Sequence, residues 1–379
     1  MIWAAVGLAV GLVYVVARII RHRHMQYWLP AYFGQLWRGR RVPRGGPVEL
    51  ILCIADHYEP KGGGASPEVA RARVRAWVED YPRLLGGFRD SDGRPPRHTF
   101  FYPAEEYEPE YLDALAGLCR AGFGEVEVHL HHDGDTSANL RRTLRDFTQT
   151  LADRHGLLAR DPATGAPVFA FIHGNWALDN SRPDGRWCGV NDELDVLIAA
   201  GCYADLTMPS APSPTQTRTI NGLYYAVDDP ARPKSHDRGT PVGSGPRPPG
   251  ALLMVQGPLT LDWRHRRVEN GCLQASQPPR IDRLDAWLAA GVGVPSRPDW
   301  RFVKLHTHGA TEANRASLLG PPGVAFHRAL AERAAADPGF RFHYVTAREM
   351  VNLAHAAEAG WGGTVDQARD YLWTWETSA

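Results

Sequence analysis

Along most of this chain short apolar runs alternate with stretches of helical spacing, and together they predict strands and helices in turn. Val48 to Ala55 (VELILCIA) has the length and content of a buried strand. The Gly62–Gly64 break follows, and Ser66 with Pro67 suits an N-cap and first helical position for a helix through about Leu85. Thr99 to Tyr102 reads as a second strand, Glu110 to Ala121 as a helix, and Glu125 to His129 as a third strand. Ser137 to His155 reads as a helix, Val168 to Ile172 as a fourth strand, and Asp192 to Ala200 as a further helix. Later come strands over Leu252 to Gln256 and Arg301 to Leu305, and helices over Ile281 to Ala290 and Gly323 to Ala336. Strands alternating with helices predict an α/β domain with a largely parallel sheet or barrel over 47–379. One region breaks the rhythm. Thr207 to Gly250 holds nine prolines, and we read 207–250 as an ordered irregular insertion, a lid beside a site.

The first residues follow a different pattern. Ile2 to Ala17 carries no charge, which predicts a membrane anchor over 1–24 with a basic flank. The positive charges follow the apolar run rather than precede it, unlike a cleavable signal peptide. Tyr27, Trp28, Tyr32, Phe33 and Trp37, interleaved with Arg38, Arg40 and Arg41, predict an interfacial linker over 25–46. Packing of that stretch on the domain is the alternative. The 379 residues sum to a formal charge of zero, yet no acid precedes Glu49 and seven arginines do. The first 48 residues are therefore +7 and the rest −7. Bulk neutrality excludes a basic binder of nucleic acid, and the positive-inside rule assigns the body to the cytoplasmic face of a membrane. The five cysteines are odd in number, with no C-x-x-C pair, which argues against a disulfide framework or a thiolate zinc site.

Candidate chemistry clusters at the ends of the predicted strands. Asp56-His57-Tyr58-Glu59 follows the first, His129-Leu130-His131-His132-Asp133 the third, His173-Gly174-Asn175-Trp176 the fourth, and His306-Thr307-His308 a late one. The ends of parallel strands converge on one face, so these positions are expected to meet in one cleft. Imidazoles with carboxylates form a ligand set for Zn²⁺, with Mn²⁺, Co²⁺ or Ni²⁺ as alternatives. Trp176, Trp187, Trp263 and Trp300 are candidates for stacking on sugar rings, and Asp179, Asp184, Asp192 and Glu193 read as a solvated loop face.

The order strand-Asp56, then Thr99-Phe100-Phe101, then Gly122–Asp133 (GFGEVEVHLHHD) resembles the polysaccharide deacetylases of the NodB-homology type, carbohydrate esterase family 4. The resemblance implies a distorted (β/α) barrel of the glycoside hydrolase/deacetylase type, preceded here by the membrane helix. It matches Glu125-Val126 to the family's E-[IV] pair, His129 to its first metal histidine, and Leu305-His306 to its late L-x-H segment. The paired aspartates of the family are Asp56-His57 here, so Asp56 is either the base, with His57 a ligand, or itself a ligand. The second metal histidine is replaced by Asp133 or supplied by His131 or His132. The family's R-P-P-Y-G motif has no clear counterpart. The resemblance thus implies metal ligands among Asp56, His57, His129, His131 and Asp133, catalytic roles for Asp56, His306 and His308, and substrate contacts from His173, Asn175 and Trp176. The activity implied is removal of acetyl groups from a saccharide or lipid-linked polysaccharide at a membrane. A catalytically inactive glycan-binding module and an amidohydrolase-like use of His129-x-His131 are the alternatives.

Overall fold

The computed structural model describes residues 2–37 and 46–375. Two helices lead, α1 (Ile2–His22) and α2 (Leu29–Trp37). The body then runs β1 (Val48–His57), α3 (Pro67–Leu85), β2 (His98–Pro103), α4 (Pro109–Leu118), β3 (Gly124–Leu130), α5 (Ser137–His155), β4 (Ala159–Arg160), β5 (Pro167–His173), α6 (Glu193–Ala199) and β6 (Cys202–Asp205). There follow β7 (Leu223–Val227), β8 (Thr240–Pro241), β9 (Ala251–Val255), β10 (Thr260–Asp262), β11 (Arg267–Glu269) and β12 (Cys272–Leu273). The chain continues with α7 (Leu284–Ala289), β13 (Trp300–Thr307), α8 (Glu312–Leu319), α9 (Pro321–Ala336), β14 (Phe340–Tyr344), α10 (Ala347–Glu358) and α11 (Val365–Ala368).

The local reasons are visible in the sequence. Ser66 Oγ accepts from Val69 N and Pro67 opens α3, whose buried stripe Ala70, Val74, Trp77, Tyr81 and Leu85 has helical spacing. Thr136 caps α5, and Gly156 closes it in the left-handed conformation. In β1 successive side chains take opposite faces. Leu50 and Leu52 join a core beneath α3 and α4, while Ile51, Cys53 and Ala55 join a second core on the inner face. A strand covered on both sides reads as an unbroken apolar run, as Leu50–Ala55 (LILCIA) does.

The main sheet runs in the order β12-β13-β1-β2-β3-β5-β6-β9-β7-β8, parallel from β12 to β9, with β7 antiparallel to β9. β14 lies parallel to β1 along Val48–Leu52, on the side that β2 occupies further along. The expected barrel is corrected to an open, mostly parallel sheet, because among the described residues no ladder joins its two ends. Lys304 Nζ on β13 donates to Leu206 O (2.6 Å) and Met208 O (2.7 Å) beyond β6. The 207–250 stretch is not purely irregular either, since β7 enters the sheet from within it.

α10 is buried all round and fills the inner face against β1 and β5. Its first turn is held at the starting ends of the strands. Arg348 forks onto Glu125 at the start of β3 (2.8 and 2.9 Å), and Glu349 pairs with Arg97 just before β2. Arg369 adds contacts to Asp90, Asp92 and Glu349. The N-terminal end of the sheet is thus closed by a buried ionic network, and the C-terminal end is left for a site.

Among the described residues no helix is long and apolar enough to cross a membrane, which corrects the anchor expected over 1–24. The uncharged run of α1 stops at Ala17, and about 16 helical residues rise about 24 Å against a hydrocarbon core of about 30 Å. With the anchor goes the charge-based assignment of the body to a cytoplasmic face. The interfacial reading of 25–46 is also corrected where it is described: Trp28 and Tyr32 are buried against Ala211, Ile220 and Leu259. Gln35 Nε2 donates to Ile220 O at 2.8 Å. Phe33 and Trp37 are exposed, and Arg38, Arg40 and Arg41 lie outside the described residues.

One buried histidine gives a test of this packing. His327 on α9 is enclosed by Phe88, Phe326 and Tyr344, and the Tyr344 hydroxyl lies 2.7 Å from its Nδ1. Burial holds its pKa down to about 3. A histidine depressed in the folded state disfavours folding progressively as pH falls below its unfolded value of about 6.5. We therefore expect wild type to lose about 2 kcal/mol relative to His327→Asn between pH 6.5 and 5, read from urea midpoints at both pH values. A constant difference would refute it.

Candidate metal centre

β1, β3 and β13 end at the same edge of the sheet and deliver their last histidines to one place. His57 closes β1 on the inner face, two residues past Ala55. Its ring lies 4.8 Å from that of His129 and 4.7 Å from that of His308, and the His129 and His131 rings are 4.7 Å apart. A carboxylate sits among them. Glu59 Oε1 is 3.3 Å from His129 Nε2 and 3.7 Å from His131 Nε2. Glu59 belongs to two overlapping donor groups, His57-Glu59-His308 and Glu59-His129-His131, each with its donor atoms within 4.8 Å of one another. Around a tetrahedral ion with bonds near 2.1 Å, donors lie roughly 3.4 Å apart, so a modest closure of side chains suffices.

The hydrogen bonds fix how these rings face. His129 Nδ1 lies 2.8 Å from Ile172 O, an oxygen that can only accept, so Nδ1 carries the proton. Nε2 then turns a lone pair on the Glu59 carboxylate unless a proton or a cation stands between them. A carbonyl behind the ring is the usual outer support of a metal-binding imidazole. His308 Nδ1 is buried without a hydrogen-bond partner. Burial, reinforced by neighbouring imidazoles, holds the pKa of His57 well below the usual value. Burial likewise lowers His308, against the pull of Glu59 and Asp56. Neutral imidazoles of this kind are in the form that binds metal. Burial alone would raise the Glu59 carboxyl, but the close contact with His129, and after it His308 and His131, bring it below its ordinary value. The donor set could hold a metal ion.

A second acid–base pair borders the cluster. His131 Nδ1 lies 2.5 Å from Glu105 Oε1, which also accepts from the His131 backbone N–H at 3.1 Å. Burial opposes the charged imidazole, yet Glu105 outweighs it and raises the His131 pKa. Glu106 is pushed up to about 7 by burial, although Lys61 N donates to it, and Glu59 and Glu105 add to the rise. Trp176 forms one wall, its ring 6.0 Å from His57 and 6.1 Å from His308. Asn175 and Trp176 both have φ of 56°. Two consecutive non-glycine residues in that region are uncommon and cluster at functional sites. Gly174 before them cannot carry a side chain, because a Cβ there would strike the His131 ring and Leu130 O.

Of the residues singled out in the sequence, the fold brings together His57, His129, His131 and His308, with Trp176 and Asn175 at the edge. Asp56 is corrected. It faces the helices, one side chain out of step with His57, where Oδ2 meets His98 Nε2 at 2.8 Å and Oδ1 accepts from Gly309 N at 2.6 Å. Asp133 is corrected as well: it is exposed and accepts from Trp187 N at 2.5 Å. His306 is buried in the layer below, near Lys304, with its Nδ1 unpartnered and outside both donor groups. His173 turns away toward Glu193. Glu59 and Glu105 were not singled out as site residues, although a carboxylate just past a strand end is the signal that would have found them. No family model matches the chain.

The placement of Asp56 has a measurable consequence. Through Gly309 N it steadies the backbone that carries His308 without touching the donor cluster. Asp56→Asn is therefore expected to keep a full complement of metal while lowering affinity by about 10- to 100-fold, the usual effect of an outer support. Complete loss of metal, measured by chelator competition, would return Asp56 to the ligands.

Proposed function

We propose that this protein is a metal-dependent hydrolase that removes an acyl group, acetyl first among them, from a saccharide, as a divergent relative of the polysaccharide deacetylases. The observation that carries the reading is Glu59 shared between two histidine groups at the C-terminal edge of a parallel sheet, beside the half-buried Trp176. His57, His129 and His308 would hold the ion, with Glu59 as a further ligand or as the neighbouring base; zinc is the first candidate, and manganese, cobalt or nickel the alternatives. When bound, such an ion supplies Lewis-acid polarisation of an acyl carbonyl and makes a water more acidic.

The protein's own groups account for the proton traffic. The Glu59 carboxylate, held in its charged form, accepts a proton from water. His131, oriented by Glu105 and biased toward the imidazolium, donates a proton to the departing amine or alkoxide. Trp176 offers an aromatic face for the sugar ring. In this scheme Glu59 takes the role expected of Asp56, and His131 that expected of His306 or His308.

The direct test is acetate release from N- and O-acetylated oligosaccharides by the full chain, before and after chelation and after return of Zn²⁺. Metal-dependent release supports the reading. Metal-loaded protein that binds these sugars without releasing acetate would replace it with a glycan-binding module.

A further inference from the structure

We propose that the chain holds a second, structural zinc ion between His132, His173, Cys188 and Glu193, separate from the hydrolytic cluster. The four come from four segments: the turn after β3, the last residue of β5, the following loop, and the first residue of α6. Their ligand atoms lie within 4.8 Å of one another. The His132 side chain is 6 % exposed, and the other three are fully buried. Although adjacent in sequence, His131 and His132 serve different clusters.

The hydrogen bonds point both imidazoles at the same spot. His132 Nδ1 is 3.1 Å from Asp135 Oδ2, and His173 Nδ1 contacts Gly174 O; both oxygens only accept, so both Nδ1 atoms carry the proton. Each Nε2 is directed at Glu193 Oε1, at 3.2 Å from His132 and 3.7 Å from His173. The second contact is no hydrogen bond: His173 Nε2 is wholly buried and has no partner. A buried lone pair facing a carboxylate oxygen calls for a cation between them. The carboxylate behind His132 is the outer support typical of zinc-bound histidine.

Cys188 completes the set. Its sulfur lies 3.2 Å from Glu193 Oε2 and accepts from Asn180 N (3.1 Å) and Val190 N (3.4 Å); burial and the Glu193 charge push the free thiol up, and these two backbone donors act against that rise. Binding would break the S–H bond and displace the Nε2 proton through which His132 meets Glu193, form the S–Zn and N–Zn bonds and release both protons to solvent. One thiolate, one carboxylate and two neutral imidazoles then cancel the charge of Zn²⁺, which suits a site closed to water. The thiolate argues against calcium or magnesium, and four protein ligands with no open position mark a structural rather than catalytic ion. Such an ion would pin the loop between β5 and α6 to the end of β3, behind the turn that carries Trp176.

The hydrolytic cluster contains no cysteine, so a thiolate signal separates the two sites. Metal-stripped full-length protein titrated with Co²⁺ alone should develop a near-ultraviolet thiolate-to-cobalt charge-transfer band. The band should persist in His129→Ala and vanish in Cys188→Ser. Should Cys188→Ser fail to fold, Glu193→Gln is read instead, with a weakened band expected. A wild-type protein without the band at saturating cobalt would overturn the proposal, leaving His132 as an ion-paired imidazolium; so would a band that survives Cys188→Ser, or one of unchanged strength in Glu193→Gln. None of these outcomes bears on acetate release.

Discussion

On the proposed function, His129→Ala is expected to strip the His57–His129–His308 centre of its metal and to lower acyl hydrolysis by at least about 10³-fold, the equivalent of about 4 kcal/mol of transition-state stabilisation. His129 is the ring whose orientation is most constrained. Ile172 O holds its Nδ1–H, and its Nε2 faces Glu59. Alanine removes the donor and leaves Glu59 without its shortest imidazole contact. The fold should survive, because the site sits at the strand ends rather than in either apolar core. Metal content and acetate release measured on the same preparation decide the matter. Full occupancy of a non-thiolate site in the variant would refute the assignment of His129, and full activity would refute the hydrolytic site as a whole.

The second large effect belongs to the opposite end of the sheet. Glu349→Gln should destabilise the protein by about 3–5 kcal/mol, the usual cost of removing one partner from a buried ionic group. Burial by itself would raise the Glu349 carboxyl, but Arg97, Arg369 and Arg348 outweigh it and hold it well below its ordinary value. With glutamine there, Arg97 keeps only Glu125 at 3.6 Å, whose carboxylate already receives the fork of Arg348. The capping box with Thr346 remains available to glutamine, so helix initiation is not the cause of the loss. A double variant, Arg97→Met with Glu349→Leu, should cost less than the two single changes combined. Additive losses in chemical denaturation would show that the pair is not coupled. Because Glu349 is depressed in the folded state, its contribution is present above about pH 4.5 and is lost as pH falls through its folded value.

These two sites differ in how far the sequence reveals them. The strand ends carrying His57, His129 and His308 are legible, because short apolar runs bounded by polar clusters mark where parallel strands stop. α5 is read at its observed bounds, since its buried residues recur with helical spacing and its ends carry Thr136 and Gly156. β14 and α10 are missed. α10 is buried from Ala347 to Ala357, so its polar stripe of Arg348, Asn352 and His355 marks no solvent face.

The same loss of pattern explains the error at Asp56. β1 is covered on both faces, and a strand apolar on both sides does not say which parity points inward. By itself the sequence therefore determined an α/β chain whose histidines gather at one edge of a parallel sheet. Tertiary structure decided that His57 and Glu59 face that edge while Asp56 faces His98, and that His132 and His173 join Cys188 and Glu193. The reason is geometric: side chains alternate with a period of two along a strand, so the residues that meet are chosen by the packing of the sheet against α3 and α10.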